Sequence, residues 1–138
     1  MSTNTNEITY SLNDFVADAK KIVASEGTGN IALQAIGTHL HRLVMEGGDL
    51  TTQGKEVQIG NNLPSRRLYE DPDGQFRISV VRFAPDKPTP VHSHYRWGAE
   101  CVISGEERVT AWECTDQDTE SGTAALKVLS DRYIKRGD

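Results

Sequence analysis

The four histidines of the chain fall into two His-x-His pairs, His39 with His41 and His92 with His94. Imidazole is the commonest protein ligand for a transition metal, and the local backbone period decides whether two such rings can share one ion. Around the first pair the apolar residues recur at helical spacing, so side chains two apart diverge by about 200° around the axis and cannot converge. A solvated surface or a helix-packing contact is the expected role of His39 and His41. Around the second pair, Val91-His92-Ser93-His94, the context is extended, and side chains two apart leave the same face of the chain. His92 and His94 are therefore the expected ligands of a divalent metal.

The elements that must position this pair read as follows. Ser11 and Asp14 form a capping box ahead of Leu12, Phe15, Val16, Ala19, Ile22 and Val23, which predicts an amphipathic helix over 11–26, ended near Gly27. A second helix opens at Asn30 as N-cap, carries Ile31, Leu33, Ile36, Leu40, Leu43 and Val44, and stops at Gly47-Gly48. After Leu50 short alternating segments replace the helical period. Segments 66–70 and 75–83 flank the turn Asp71-Pro72-Asp73-Gly74 and predict a hairpin. Residues 85–90 are proline-rich and predict a loop. Strands are expected near 91–94, 99–103, 107–113 and 126–134, with a turn at Ser104-Gly105 and an exposed acidic loop over 115–123. The order of a proline-rich loop, an extended His-x-His, a strand, a turn and another strand suits a small β-barrel with its site in the mouth.

The stretch Pro88-Thr89-Pro90-Val91-His92-Ser93-His94-Tyr95-Arg96-Trp97-Gly98, with the strand that follows to Gly105-Glu106, resembles the first motif of the cupin superfamily. Within it the chain is most similar to the cysteine dioxygenase-like group of thiol dioxygenases. The similarity runs back through Leu68, Gly74 and Phe76 and covers about 66–112. It implies a mainly β fold led by two helices, a cupin-type double-stranded β-helix barrel, left incomplete at its C-terminus if the chain ends at Asp138. The expected division is a disordered lead over 1–10, a helical segment over 11–49 and the barrel over 50–138, one domain overall.

The resemblance also implies a function: a non-haem Fe²⁺ enzyme, or one using another divalent metal, that oxidises a small thiol such as cysteine or a mercapto acid with O₂. Gly98 stands where the cupin motif has a glutamate, a loss shared by thiol dioxygenase-like proteins that hold iron with three histidines. The third histidine of that group would follow a strand ending much like Ile134-Lys135-Arg136-Gly137-Asp138. None follows here, which makes a longer parent chain the expectation, with Glu100 as another third ligand. Two imidazoles and a carboxylate would form the facial triad that suits non-haem iron. An exposed or ion-paired strand glutamate is the other reading of Glu100. By the resemblance Arg66 falls where the family holds the substrate carboxylate, and a planar guanidinium fork suits that task; a strand-end arginine is its other reading. Tyr95 and Arg96 would line the mouth with Trp97, Arg96 meeting an anion, although Trp97 fits ordinary core as well.

A non-catalytic or truncated cupin, serving as a small-ligand-binding or scaffold domain, is the competing class. A dioxygenase acting on a diketone and an isomerase using another metal are further alternatives. The net charge of −5 and the scattered basic residues argue against nucleic acid as a partner. No apolar run approaches the roughly 20 residues of a membrane span. The polar N-terminus has no signal-peptide pattern, which places the chain in the cytoplasm with Cys101 and Cys114 as free thiols. The expected partners are a small-molecule substrate and O₂, with a homodimer as the assembly to consider.

Overall fold

The computed structural model describes residues 7–85, 87–89, 97–114 and 126–138. Two helices come first. Helix α1, Leu12–Glu26, is capped by Ser11, whose Oγ accepts the Asp14 N–H at 3.1 Å while the Ser11 N–H donates to Asp14 Oδ2 at 2.9 Å. The expected capping box is present, and the Asp14 carboxyl is held below its usual range by these two bonds. Helix α2, Asn30–Glu46, differs slightly from expectation. Its N-cap is Gly29 rather than Asn30, and Ile31 is 74% exposed. The stripe that turns inward is Ala32, Ile36, Leu43 and Val44, with Leu40 partly buried, offset by one residue at its start.

The residues just before α1 are tied to the end of α2. The Thr9 and Tyr10 N–H groups both donate to the Glu46 carbonyl, and Tyr10 is only 4% exposed. The phenol thereby belongs to the core.

A single 3-10 turn at Leu50–Thr52, capped by the Asp49 carboxylate, leads from the helices to a three-stranded antiparallel sheet. Its strands are β1, Lys55–Val57, β2, Leu63–Glu70, and β3, Arg77–Arg82, in the order β1-β2-β3. The β2–β3 hairpin falls where the Asp-Pro-Asp-Gly turn predicts it, with Gly74 at φ +70°. Asp71 ties this turn together. It is 6% exposed, accepts the Gln75 N–H and the Tyr69 hydroxyl, and lies 3.9 Å from Lys20 Nζ on α1. β2 starts three residues before the expected strand and contains Pro64, which a ladder tolerates only at an irregularity. A register shift between Leu63 and Arg66 supplies one.

The apolar core lies between the helices and one face of this sheet. Tyr10, Phe15, Ala19, Ile36, Leu43, Val44, Leu50 and Val80 form its centre, with Leu68, Phe76, Ile78, Trp97, Cys101 and Ile103 packed on its margin.

The remaining strands, β4, Glu106–Cys114, and β5, Leu126–Lys135, form a separate antiparallel pair with a bulge between Ala111 and Trp112. Segment 99–103 is not the strand expected there. Among the described residues its one ladder contact is a parallel bridge from Val102 to Arg136, in which the Val102 N–H donates to the Asp138 carbonyl and the Gly137 N–H to that of Val102. The reason is packing: Cys101, Val102 and Ile103 are all wholly or partly buried in succession, so the segment has no alternation of inner and outer faces. The expectation of two helices followed by mostly antiparallel strands holds, as a mixed α/β arrangement. Among the described residues the strands form two small sheets and no closed barrel.

Candidate metal centre

The expected ligands His92 and His94, and with them Tyr95 and Arg96, lie outside the described residues. The ground on either side of them is defined. β3 ends at Arg82, and by Trp97 the chain is back at the opposite end of that strand. There the indole tilts onto Phe76 with ring centroids 6.3 Å apart, and Phe76 in turn meets Tyr69 at 5.4 Å. Of the two roles open to Trp97, packing against the core is the one it fills.

Gly98 follows on the surface, and a Cβ built there would meet nothing within 4 Å. Among the described residues nothing blocks the first carbon of a side chain there. Glu100 is exposed on the non-strand segment, and its charge is felt at Glu107 on β4. Burial chiefly, and then the Glu100 carboxylate, push the Glu107 carboxyl up from its ordinary range. Two carboxylates thus share one neighbourhood, a setting that a cation would relieve. Among the described residues no group of three or more His, Cys, Asp or Glu is gathered to hold a metal, so a centre there needs the His92–His94 segment.

Arg66, the expected carboxylate clamp, is engaged locally. Its Nε donates to the Gln53 carbonyl at 2.9 Å, and its Nη2 donates to those of Gly54 at 2.8 Å and Thr52 at 3.4 Å. The guanidinium closes the carbonyl ends left open after the 3-10 turn, which leaves Nη1 as the nitrogen free of these bonds.

The other histidine pair behaves as the helical period requires. His39 turns toward α1, with Nδ1 3.1 Å from the Tyr10 hydroxyl and 3.5 Å from Asp18 Oδ2. His41 turns toward the C-terminal segment, with Nδ1 2.8 Å from the Gly137 carbonyl oxygen. Around Tyr10 the structure assembles a cluster that no sequence spacing announces. The phenol donates to Asp18, stacks beside His39 and lies under the Arg42 guanidinium, 4.3 Å from the ring centre. Burial first, and the Asp18 hydrogen bond and charge next, hold the phenol proton on well above the usual tyrosine range. The cluster docks the N-terminal segment onto both helices.

Cys101 is a free thiol, and burial pushes it up from its ordinary range, away from thiolate reactivity. Among the described residues no helix is long and apolar enough to cross a membrane. No family model, no curated protein and no solved structure matches this chain.

Proposed function

We propose that this chain is a cupin-type metalloprotein of the thiol dioxygenase kind. In this reading His92 and His94 hold a divalent metal, Fe²⁺ first among candidates, and the two antiparallel sheets are parts of a cupin barrel. The features that carry the reading are the His-x-His in a stretch whose sequence reads as extended and, three residues on, a tryptophan packed on Phe76. Such an anchor fixes the chain three residues beyond the proposed ligands, and a chelating site is best built on fixed elements.

Glu100 is the candidate third donor, and the carboxylate neighbourhood it forms with Glu107 supports a cation there. Bound, the metal would supply the oxygen chemistry. The chain's own residues would do the rest. His92 and His94 fix the ion, Tyr95 and Arg96 border the approach to it, and Arg96 or the remaining Nη1 of Arg66 receives a substrate carboxylate. A small thiol such as cysteine or a mercapto acid is the substrate class. A free, partly buried Cys101 fits a reducing compartment such as the cytoplasm.

A second reading, a cupin-type small-ligand-binding or scaffold domain without oxygenase activity, is favoured by one observation. Arg66 already spends two of its nitrogens on backbone carbonyls.

The test is metal content together with oxygen uptake. Chain grown with added iron should carry about one metal ion per chain, lost in His92→Ala while the far-ultraviolet spectrum is kept. Gly98→Glu, whose Cβ has room, should tighten metal binding without lowering the melting temperature. Oxygen consumption with cysteine or a mercapto acid supports the enzyme. Bound metal without oxygen uptake on thiols or diketones supports the second reading. Folded chain that retains no metal under any loading condition overturns the metal centre and supports the second reading.

A further inference from the structure

Arg67 and Lys55 form a feature that the metal reading does not use. Across the β1–β2 ladder these two residues are direct partners, so two cationic side chains stand opposite each other on one face. Like charges in that position repel. Arg67 is a residue of the central strand, and its Nε is shut off from solvent with no hydrogen-bond partner. Among the described residues neither Arg67 nor Lys55 has a carboxylate within ion-pair distance. Glu56 pairs with Arg66 on the opposite face. Glu70, three residues along β2, faces Arg77 across the β2–β3 ladder and is not ion-paired with either cation. Arg67 is partly buried, and a guanidinium nitrogen shut off from water is ordinarily matched by an acceptor.

The same two residues border an open groove of about 360 Å³ whose other walls are Gly54, Leu68, Tyr69 and Glu70. β1 begins at Lys55, so among the described residues β2 beyond Arg67 has no strand on that side, and the groove lies there. Gly54, at φ +66°, brings the chain so close that a Cβ there would run into the Arg67 carbonyl. That close approach sets Lys55 beside Arg67 and holds the groove's cationic end in place.

We propose that this groove binds a small oxyanion, a carboxylate or a phosphate. The terminal guanidinium nitrogens of Arg67 form a fork to it, and the Lys55 ammonium supplies the second charge. A planar fork matches either group in two parallel hydrogen bonds, whereas lysine adds a point charge. Because the Arg67 stem is enclosed at Nε, the fork is held in place before the ligand arrives, which lowers the ordering cost of binding.

The proposal is tested on the full chain by amide chemical shifts during titration with inorganic phosphate and, in a second arm, with succinate, ionic strength being held constant with sodium chloride. Saturable shifts at Gly54, Lys55 and Leu68–Glu70 are expected in at least one arm, and the arm that saturates at lower concentration identifies the preferred anion. Arg67→Gln should weaken that binding by about ten- to a hundredfold. Lys55→Gln, on an exposed edge position, should weaken it less while keeping the fold, and it serves as the second variant if Arg67→Gln does not fold. Shifts that never saturate in either arm overturn the site. So does an affinity unchanged by Lys55→Gln, or by Arg67→Gln in a folded chain.

Discussion

Ser65 has no exposed surface, yet it carries a hydroxyl in the middle of β2. The hydroxyl is used twice. It donates to the Leu63 carbonyl at 2.9 Å and accepts the Arg82 N–H at 3.1 Å, where the register shift near Pro64 breaks the ordinary ladder. A part-buried hydrogen bond of this kind contributes about 0.5–1.5 kcal/mol. Ser65→Ala should therefore lower the unfolding free energy by about that amount, read from urea denaturation, with the Arg82 amide losing protection. A stability equal to that of the parent chain would show that the Arg82 N–H finds another acceptor. The side chain is small and the residue type ordinary, so nothing in the sequence distinguishes it from a surface serine.

Among the elements, the β4–β5 hairpin depends on its cross-strand polar pairs. Arg108 grips Asp131 through two hydrogen bonds, at 2.9 and 2.6 Å, and Thr110 adds a third at 3.0 Å. The Arg108 hydrogen bond, the largest influence, lowers the Asp131 carboxyl from 3.8 to about 2. A folded-state value below the unfolded one means a contribution that is complete above the ordinary aspartate range. It is lost as the pH falls toward the folded-state value. Acidification from pH 4 to pH 2 should thus loosen the hairpin, seen as shifts of the Arg108–Ala111 amides that Asp131→Asn removes. Added salt should weaken the same effect, because both groups face solvent. Amides unmoved across that interval would mean the pair contributes nothing to hairpin order.

For the whole molecule, the body and the hairpin are held by different means. The body has an apolar core shared by two helices and a three-stranded sheet. The hairpin joins it through Ile134, the Val102–Arg136 bridge, the Arg136 bond to the Ile103 carbonyl and the His41 contact with Gly137. Its Trp112, Val128, Leu129 and Tyr133 remain largely exposed. Two strands alone are marginally stable in water. Native-state amide exchange should accordingly show β4 and β5 opening at lower free energy than β2 and β3. Equal protection in both sheets would show that the molecule unfolds as one unit.

The helices, the β2–β3 hairpin and the β4–β5 strands were legible because local physics determines them. The capping box at Ser11, the glycine stops at Gly27 and Gly47, and the turn at Asp71–Gly74 act within a few residues of the chain. The spacing of His39 and His41 on a helix was enough to forbid chelation, since the backbone period alone aims the rings apart. Three features were decided only by the tertiary structure. Tyr10 is drawn into the core by contacts with Asp18, His39 and Arg42, which lie one and two elements away. The Ala99–Ile103 segment meets the C-terminal residues instead of forming a strand, because Cys101, Val102 and Ile103 all find burial. Arg66 and Arg67 are neighbours in sequence, but one closes a turn and the other borders an open groove. The pleat sends them to opposite faces, and what each face meets depends on residues far away along the chain.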